Sequence, residues 1–86
     1  MGRQERTDEV RGSFSPEQAF GLTLRRIRQR SRLSQQALAD KSGYHRTYIG
    51  LLEGGQKSPS LRTIFNVAST LHVKPSEIVK EVERLV

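Results

Sequence analysis

The stretch LSQQALADKSGYHRTYIGLLEGG, residues 33–55, decides the fold, because it holds two short helical patterns separated by a glycine. Ser34 can cap the first of these helices, and Gly43 suits the left-handed turn that ends it. The second helix should run from about His45 to Glu53 and stop at a pair of glycines. Helices this short are marginal alone in water, so packing has to fix their mutual angle.

The spacing of small and apolar residues indicates how these two helices pack. Ala39 has no bulk where a crossing helix must come close, and Gly43 follows four residues later. Ile49 and Leu52 then supply two apolar anchors for a core. A small residue at the crossing, a left-handed turn and two anchors are typical of a helix-turn-helix.

Three further helices are predicted around this pair. Ser15, Pro16 and Gln18 form a capping box with proline at the first helical position. The stripe expected to face inward is Phe20, Leu24, Ile27 and Ser31, whereas Arg25, Arg26, Arg30 and Arg32 fall on the solvent side. Pro59-Ser60 opens a fourth helix with the inward stripe Leu61, Ile64, Val67, Ala68 and Leu71, and Pro75 opens a fifth with Ile78 as its core residue.

These patterns predict an all-α fold, a compact five-helix domain over residues 14–86. No run alternates with a period of two over a useful length, so strands are not expected. Residues 1–13 have mixed charge, two glycines and no apolar periodicity, which predicts a disordered tail. At 86 residues the chain has room for one domain only.

Composition argues against catalysis and against metal or cofactor binding. There is no cysteine, and the two histidines, His45 and His72, sit 27 residues apart on different predicted helices. The segment EGGQKS lacks the spacing of a phosphate-binding Walker motif. We therefore expect a protein that is not an enzyme and has no cofactor, no metal and no evident small-molecule ligand. The chain shows no signal-peptide core and no membrane span, so a cytoplasmic location is expected.

The net charge of +6 is concentrated in one part of the chain. Residues 1–17 have a net charge of −1, and residues 63–86 have a net charge of zero. Residues 18–62 hold nine basic residues against Asp40 and Glu53, a net charge of +7. A basic surface can simply aid solubility, but solubility does not require the charge to be concentrated. The distribution favours a polyanionic partner.

Residues 20–79 resemble the Cro and lambda-repressor type of helix-turn-helix domain, also called the xenobiotic-response-element family. LRRIRQRSRLSQQALADKSG resembles the first two helices of that family, HRTYIGLLEGG its third helix, and SPSLRTIFNVASTLHV its fourth. Within the family, HRTYI also resembles the small controller proteins of restriction-modification systems. The chain departs from the usual pattern at Ser42, His45, Gly54 and His72, and His72 should adopt a positive φ. The resemblance implies a bacterial or phage regulator that binds double-stranded DNA.

Helical geometry predicts which side of the third helix would meet DNA. With Ile49 in the core and 100° per residue, Thr47 and Leu51 point outward, and His45, Leu52 and Glu53 fall on the buried side. The predicted base contacts are Arg46, Thr47, Gly50 and Leu51. The predicted phosphate contacts are Ser34 and Gln35 at the second helix, together with Tyr48, Lys57, Ser58, Ser60 and Arg62 across the groove.

Two further features are predicted to support this role. The family resemblance implies a structural ion pair between Arg28 and Glu53. An apolar stripe on the fifth helix predicts a homodimer interface made of Val79, Val82, Leu85 and Val86.

The charge map favours a repressor-like DNA-binding regulator acting as a homodimer on a palindromic operator. The alternative is a protein-interaction module, such as an antitoxin or adaptor, built on the same fold. RNA is disfavoured because Phe14, Phe20, Tyr44 and Phe65 have staple or core explanations.

Overall fold

The structure, a computed structural model, describes residues 14–86, which form five α-helices and contain no strand. The helices are α1 (Pro16–Arg30), α2 (Gln35–Ser42), α3 (Arg46–Glu53), α4 (Leu61–Thr70) and α5 (Pro75–Leu85). The all-α prediction is therefore confirmed. The predicted tail, residues 1–13, lies outside the described residues. Over the part that is described, no helix is both long and apolar enough to cross a membrane.

The predicted helix starts are confirmed by their hydrogen bonds. Ser15 Oγ accepts the amide N–H of Gln18 at 3.0 Å, and the Gln18 side chain accepts the amide N–H of Ser15 at 2.9 Å. Ser34 and Ser60 cap α2 and α4, and each accepts the amide N–H three residues along at 3.0 Å. Gly43 ends α2 with φ of 84°, a conformation that costs glycine no steric strain.

Within residues 14–86, two residues other than glycine also adopt left-handed backbone conformations. His72 has φ of 60°, as predicted, and ends the turn after α4. Arg32 has the same φ, which was not predicted, and forms a tight turn between α1 and α2. Ser31 was expected on the inward stripe of α1, but it is exposed because the helix ends one residue earlier.

A single core joins all five helices. Its fully buried large side chains include Leu24 of α1, Leu38 of α2, Ile49 and Leu52 of α3, Val67 of α4 and Ile78 of α5. Every helix therefore contributes an apolar side chain, and burial of this shared core supplies the stability that the short helices lack individually.

Two of the residues expected in the core of α4 are instead on the surface. Leu61 is 71% exposed and Phe65 is 56% exposed. Each lies two positions from Thr63, which is only 3% exposed. Two positions turn a helical side chain by about 200°, so burying Thr63 sends Leu61 and Phe65 to the opposite face. The sequence prediction was wrong here because it ranked Leu61 and Phe65 above a threonine as core residues.

Candidate nucleic-acid interface

The outward face of α3 contains the four predicted base contacts. Ile49 and Leu52 anchor the helix with 0% exposure, which turns the opposite side to solvent. The side chains on that side are Arg46 and Thr47, which are exposed, and Leu51, which is half-buried beside Gly50. Of the hydrogen bonds found within residues 14–86, none uses the side chain of Arg46 or Thr47. Both side chains are therefore free to contact a ligand.

His45 does not occupy the buried side of α3, as the helical projection had predicted. It is exposed, and it is the N-cap residue with φ of −76° and ψ of 148°, so its backbone is extended. The 100° spacing applies only inside the helix, so it cannot be extrapolated to this position. The imidazole caps no backbone N–H group.

The ion pair implied by the family resemblance is present at the inner end of α3. Arg28 donates from Nε to Glu53 Oε2 at 2.6 Å and from Nη2 to Glu53 Oε1 at 3.0 Å. Its Nη1 donates to the carbonyl of Leu33 at 2.8 Å. The hydrogen bond to Glu53 raises the pKa of Arg28 above its ordinary value and outweighs the effect of burial. The pair is therefore a charged, bidentate link from α1 to α3 and to the turn before α2.

Gln35 extends this link to α2. Its Nε2 donates to Glu53 Oε1 at 3.0 Å, so the carboxylate of Glu53 is shared by side chains of α1 and α2. One of the two amide hydrogens of Gln35 is thus committed within the protein. The phosphate contact predicted for this side chain has only the second hydrogen available.

Gly21 allows α1 to approach the end of α3 closely. A Cβ atom built at position 21 would lie 2.5 Å from the carbonyl oxygens of both Leu52 and Glu53. Any side chain here would collide with backbone atoms, which cannot rotate away. Gly21 was not predicted from the sequence, because one glycine within a helical pattern does not indicate what it packs against.

A cluster of hydroxyl groups around the buried Thr63 fixes the other flank of α3, and it was also missed from the sequence. Thr63 Oγ1 accepts from Ser60 Oγ at 3.0 Å and from Tyr44 Oη at 3.3 Å, and it lies 3.0 Å from Tyr48 Oη. A hydroxyl oxygen has two acceptor positions and one proton. The Thr63 hydroxyl therefore joins Ser60, Tyr44 and Tyr48, and in its bond to Tyr48 either oxygen can donate.

The hydrogen bond to Thr63 and the packing against Tyr44 hold the side chain of Tyr48 in position. Its ring packs against that of Tyr44, with centroids 5.0 Å apart, and the residue is half-buried instead of fully outward. The hydrogen bond to Thr63 joins Tyr48 to the N-terminus of α4 and leaves the phenolic oxygen able to form one further hydrogen bond. The remaining predicted phosphate contacts of this flank are exposed, at that N-terminus and in the loop before it: Lys57, Ser58, Ser60 and Arg62.

The family model described as a helix-turn-helix domain matches residues 19–79. The chain belongs to the helix-turn-helix family. The match covers all of α2, α3 and α4, including both flanks of the α3 face. As a helix-turn-helix protein, the chain is a DNA-binding transcriptional regulator and not an enzyme.

Relatives within this helix-turn-helix family include controller proteins of restriction-modification systems. The control protein C.BamHI of Bacillus amyloliquefaciens is 38% identical over 61 residues, covering 70% of this chain and 75% of that protein. The control protein C.SmaI of Serratia marcescens is 36% identical over 56 residues, covering 65% and 67%.

A solved structure shows the same likeness. The crystal structure of the restriction-modification controller protein C.AhdI from Aeromonas hydrophila matches with a TM-score of 0.73 and 38% identity. The match covers 76% of this chain and 98% of C.AhdI. The resemblance to controller proteins that HRTYI indicated is confirmed.

Proposed function

We propose that this protein binds a palindromic DNA operator as a homodimer, with α3 of each protomer in the major groove, and thereby regulates transcription. The observation that carries the proposal is the outward face of α3, where Arg46 and Thr47 are exposed and form no hydrogen bond within residues 14–86. Arg46 would donate to guanine O6 and N7, and Thr47 would contact a base edge. Acting on bacterial or phage DNA would place the protein in the cytoplasm.

Phosphates would be bound on both flanks of α3. On one flank, the N-terminus of α2 presents Ser34 and Gln35 together with free backbone N–H groups, which favour an anion. On the other flank, the N-terminus of α4 presents Arg62 and the backbone N–H groups that follow Ser60, beside the phenolic oxygen of Tyr48. The Ser60 hydroxyl already donates its proton to Thr63, so Ser60 would contribute to this flank through the backbone. Lys57 and Ser58 extend that second flank through the loop before α4. Phosphate contacts on both flanks would fix the position of α3 on the duplex.

Replacing Arg46 with Ala tests base readout. Loss of a bidentate contact to guanine should cost about 1–3 kcal/mol on the preferred site and relax the preference at one base pair. Binding to random duplex should change little. Selection of bound sites from random duplexes, followed by titration of the selected and scrambled sites, measures both effects.

Lys57→Ala serves as the matched control, because it also removes one exposed positive charge. It should weaken all duplexes similarly and reduce the slope of log K against log salt by about one unit. If Arg46→Ala behaves in the same way as Lys57→Ala, Arg46 contacts only the backbone. If wild type binds no duplex even at low salt, the antitoxin or adaptor alternative replaces the proposal.

The homodimer would be formed by the exposed apolar surface of α4 and α5. Val79 is 48% exposed, and the other predicted interface residues, Val82, Leu85 and Val86, are half-buried. Ile64 of α4 lines a shallow apolar groove of about 230 Å³ with Val79 and Val82. We include Leu61 and Phe65 in the proposed surface because both are exposed on α4, where they line a separate depression with Arg62. A second copy of the chain would bury this surface reciprocally about a two-fold axis.

The double variant Val82→Glu/Leu85→Glu tests this interface. Wild type should sediment as a dimer at micromolar concentration, and the variant should sediment as a monomer. Its affinity for a palindromic site should fall by at least roughly tenfold, because the second half-site no longer adds to binding. Lys80→Glu is the control, since it lies exposed on α5 and changes the net charge by the same two units. A monomeric wild type, or a variant that still dimerises, would rule out this surface.

A further inference from the structure

The outward face of α3 has a gap at Gly50 that the fold itself does not require. A Cβ atom built at position 50 would meet only Gln35 Oε1, at 3.8 Å, an ordinary van der Waals distance. Glycine inside a helix is less stable than alanine because its backbone loses more freedom on folding. Gly21 is explained by its contact with α3, but no contact within residues 14–86 explains Gly50.

The gap at Gly50 is lined by the side-chain oxygen of Gln35, and hydrogen bonding determines which way that oxygen points. The Glu53 carboxylate is negative and already bonded to Arg28, so the Gln35 amide must face it with nitrogen and not with oxygen. The Gln35 oxygen is therefore turned toward Gly50. Of the residues the structure describes, none donates a hydrogen bond to Gln35 Oε1, which leaves an oriented acceptor beside the bare backbone of α3.

We propose that this gap, which we call the Gly50 notch, binds the exocyclic amino group of a nucleobase, either cytosine N4 or adenine N6. The inference rests on the proposed DNA binding and specifies what one position of the site reads. In the major groove those two amino groups are donors, whereas guanine O6 and thymine O4 are acceptors that the Gln35 oxygen would repel. Gly50 leaves the base edge room to reach that oxygen.

The Gly50 notch and its neighbour Arg46 offer opposite hydrogen-bonding groups to a base. Arg46 stands one helical turn before Gly50 on the same face and carries only donors. Arg46 therefore selects a base that has hydrogen-bond acceptors in the major groove, whereas the notch selects a base that has a donor there. Removing one should leave the preference set by the other.

Site selection from random duplexes with wild type, Gln35→Met and Gly50→Ala tests the proposal. Wild type should prefer adenine or cytosine over guanine or thymine at one position of one strand. Gln35→Met keeps the length of the side chain but lacks the acceptor, so that preference should drop by about tenfold, while the guanine preference of Arg46 remains. A uniform loss of affinity with unchanged base preference would overturn the notch and leave Gln35 with the phosphate contact alone.

Gly50→Ala provides a second test that does not depend on how Gln35→Met folds. Without DNA it should raise Tm by about 4 °C or more, because alanine is the better helix former and meets no clash. Its affinity for the selected site should nevertheless fall by about tenfold, because the methyl group fills the notch. Ser69→Ala, at an exposed position near the end of α4, is the control that should raise Tm without affecting DNA binding.

These experiments distinguish failure of the Gly50 notch from failure of the proposed DNA binding. A Gly50→Ala protein that binds the selected site as tightly as wild type, or that gains no thermal stability, refutes the notch while DNA binding stands. A wild-type protein that selects no sequence refutes the proposed function itself, and the notch with it.

Discussion

Replacing Glu53 with Ala is expected to destabilise the domain by about 3–5 kcal/mol, the usual cost of leaving a buried charge without its partner. The Glu53 side chain is only 4% exposed and that of Arg28 only 10%, so water cannot replace the lost carboxylate. The variant would also release Gln35, whose Nε2 donates to the same carboxylate. Urea unfolding followed by circular dichroism measures the change in the free energy of unfolding.

The control for Glu53→Ala replaces both charges at once. Arg28→Met/Glu53→Leu leaves no unpaired charge and fills a similar volume, so it should recover most of the lost stability. Arg28→Ala alone should be as harmful as Glu53→Ala. The single variants Arg28→Met and Glu53→Leu complete the double-mutant cycle, and strictly additive effects across that cycle would contradict a coupled pair.

Gly21→Ala is expected to destabilise the domain by about 2–3 kcal/mol, even though alanine is the better helix former. The added methyl group would lie 2.5 Å from two backbone carbonyl oxygens of α3, so α1 and α3 must move apart. A gain of about 1 kcal/mol in helix propensity cannot offset this overpacking. Thermal and urea unfolding without DNA test the expectation.

Gly50→Ala is the matched comparison, because the same chemical change is made inside a helix where the Cβ atom has room. Gly21→Ala should lower the free energy of unfolding, whereas Gly50→Ala should raise it. If Gly21→Ala were as stable as wild type, α1 would not contact the Leu52 and Glu53 carbonyl groups closely.

The sequence predicted the helices and the family because their signals are local. Ser15, Ser34 and Ser60 act as caps through hydrogen bonds to residues three positions away, and Gly43 ends α2 by its own backbone freedom. The anchors Ile49 and Leu52 were predicted from helical spacing alone and are fully buried. The set of residues on the outward face of α3 followed from the same spacing.

The sequence was misleading where burial depends on a distant partner. Thr63 is buried because its hydroxyl is bonded by groups from α3 and from the turns before α3 and α4, a set that no periodicity indicates. Burial of Thr63 leaves Leu61 and Phe65 on the opposite, exposed face of α4. His45 was misplaced for a different reason, since its extended backbone lies outside the helix that was projected.

By itself, therefore, the sequence determined that this protein is an all-α helix-turn-helix chain with its excess positive charge in residues 18–62. Caps, turns, apolar spacing and net charge are properties of neighbouring residues and survive in any arrangement of the helices. Only the tertiary structure decided which backbones touch at Gly21, which hydroxyl group holds Tyr48, and which way the Gln35 amide faces. Those features depend on atoms brought together from separate helices, and their distances exist only once the chain has folded.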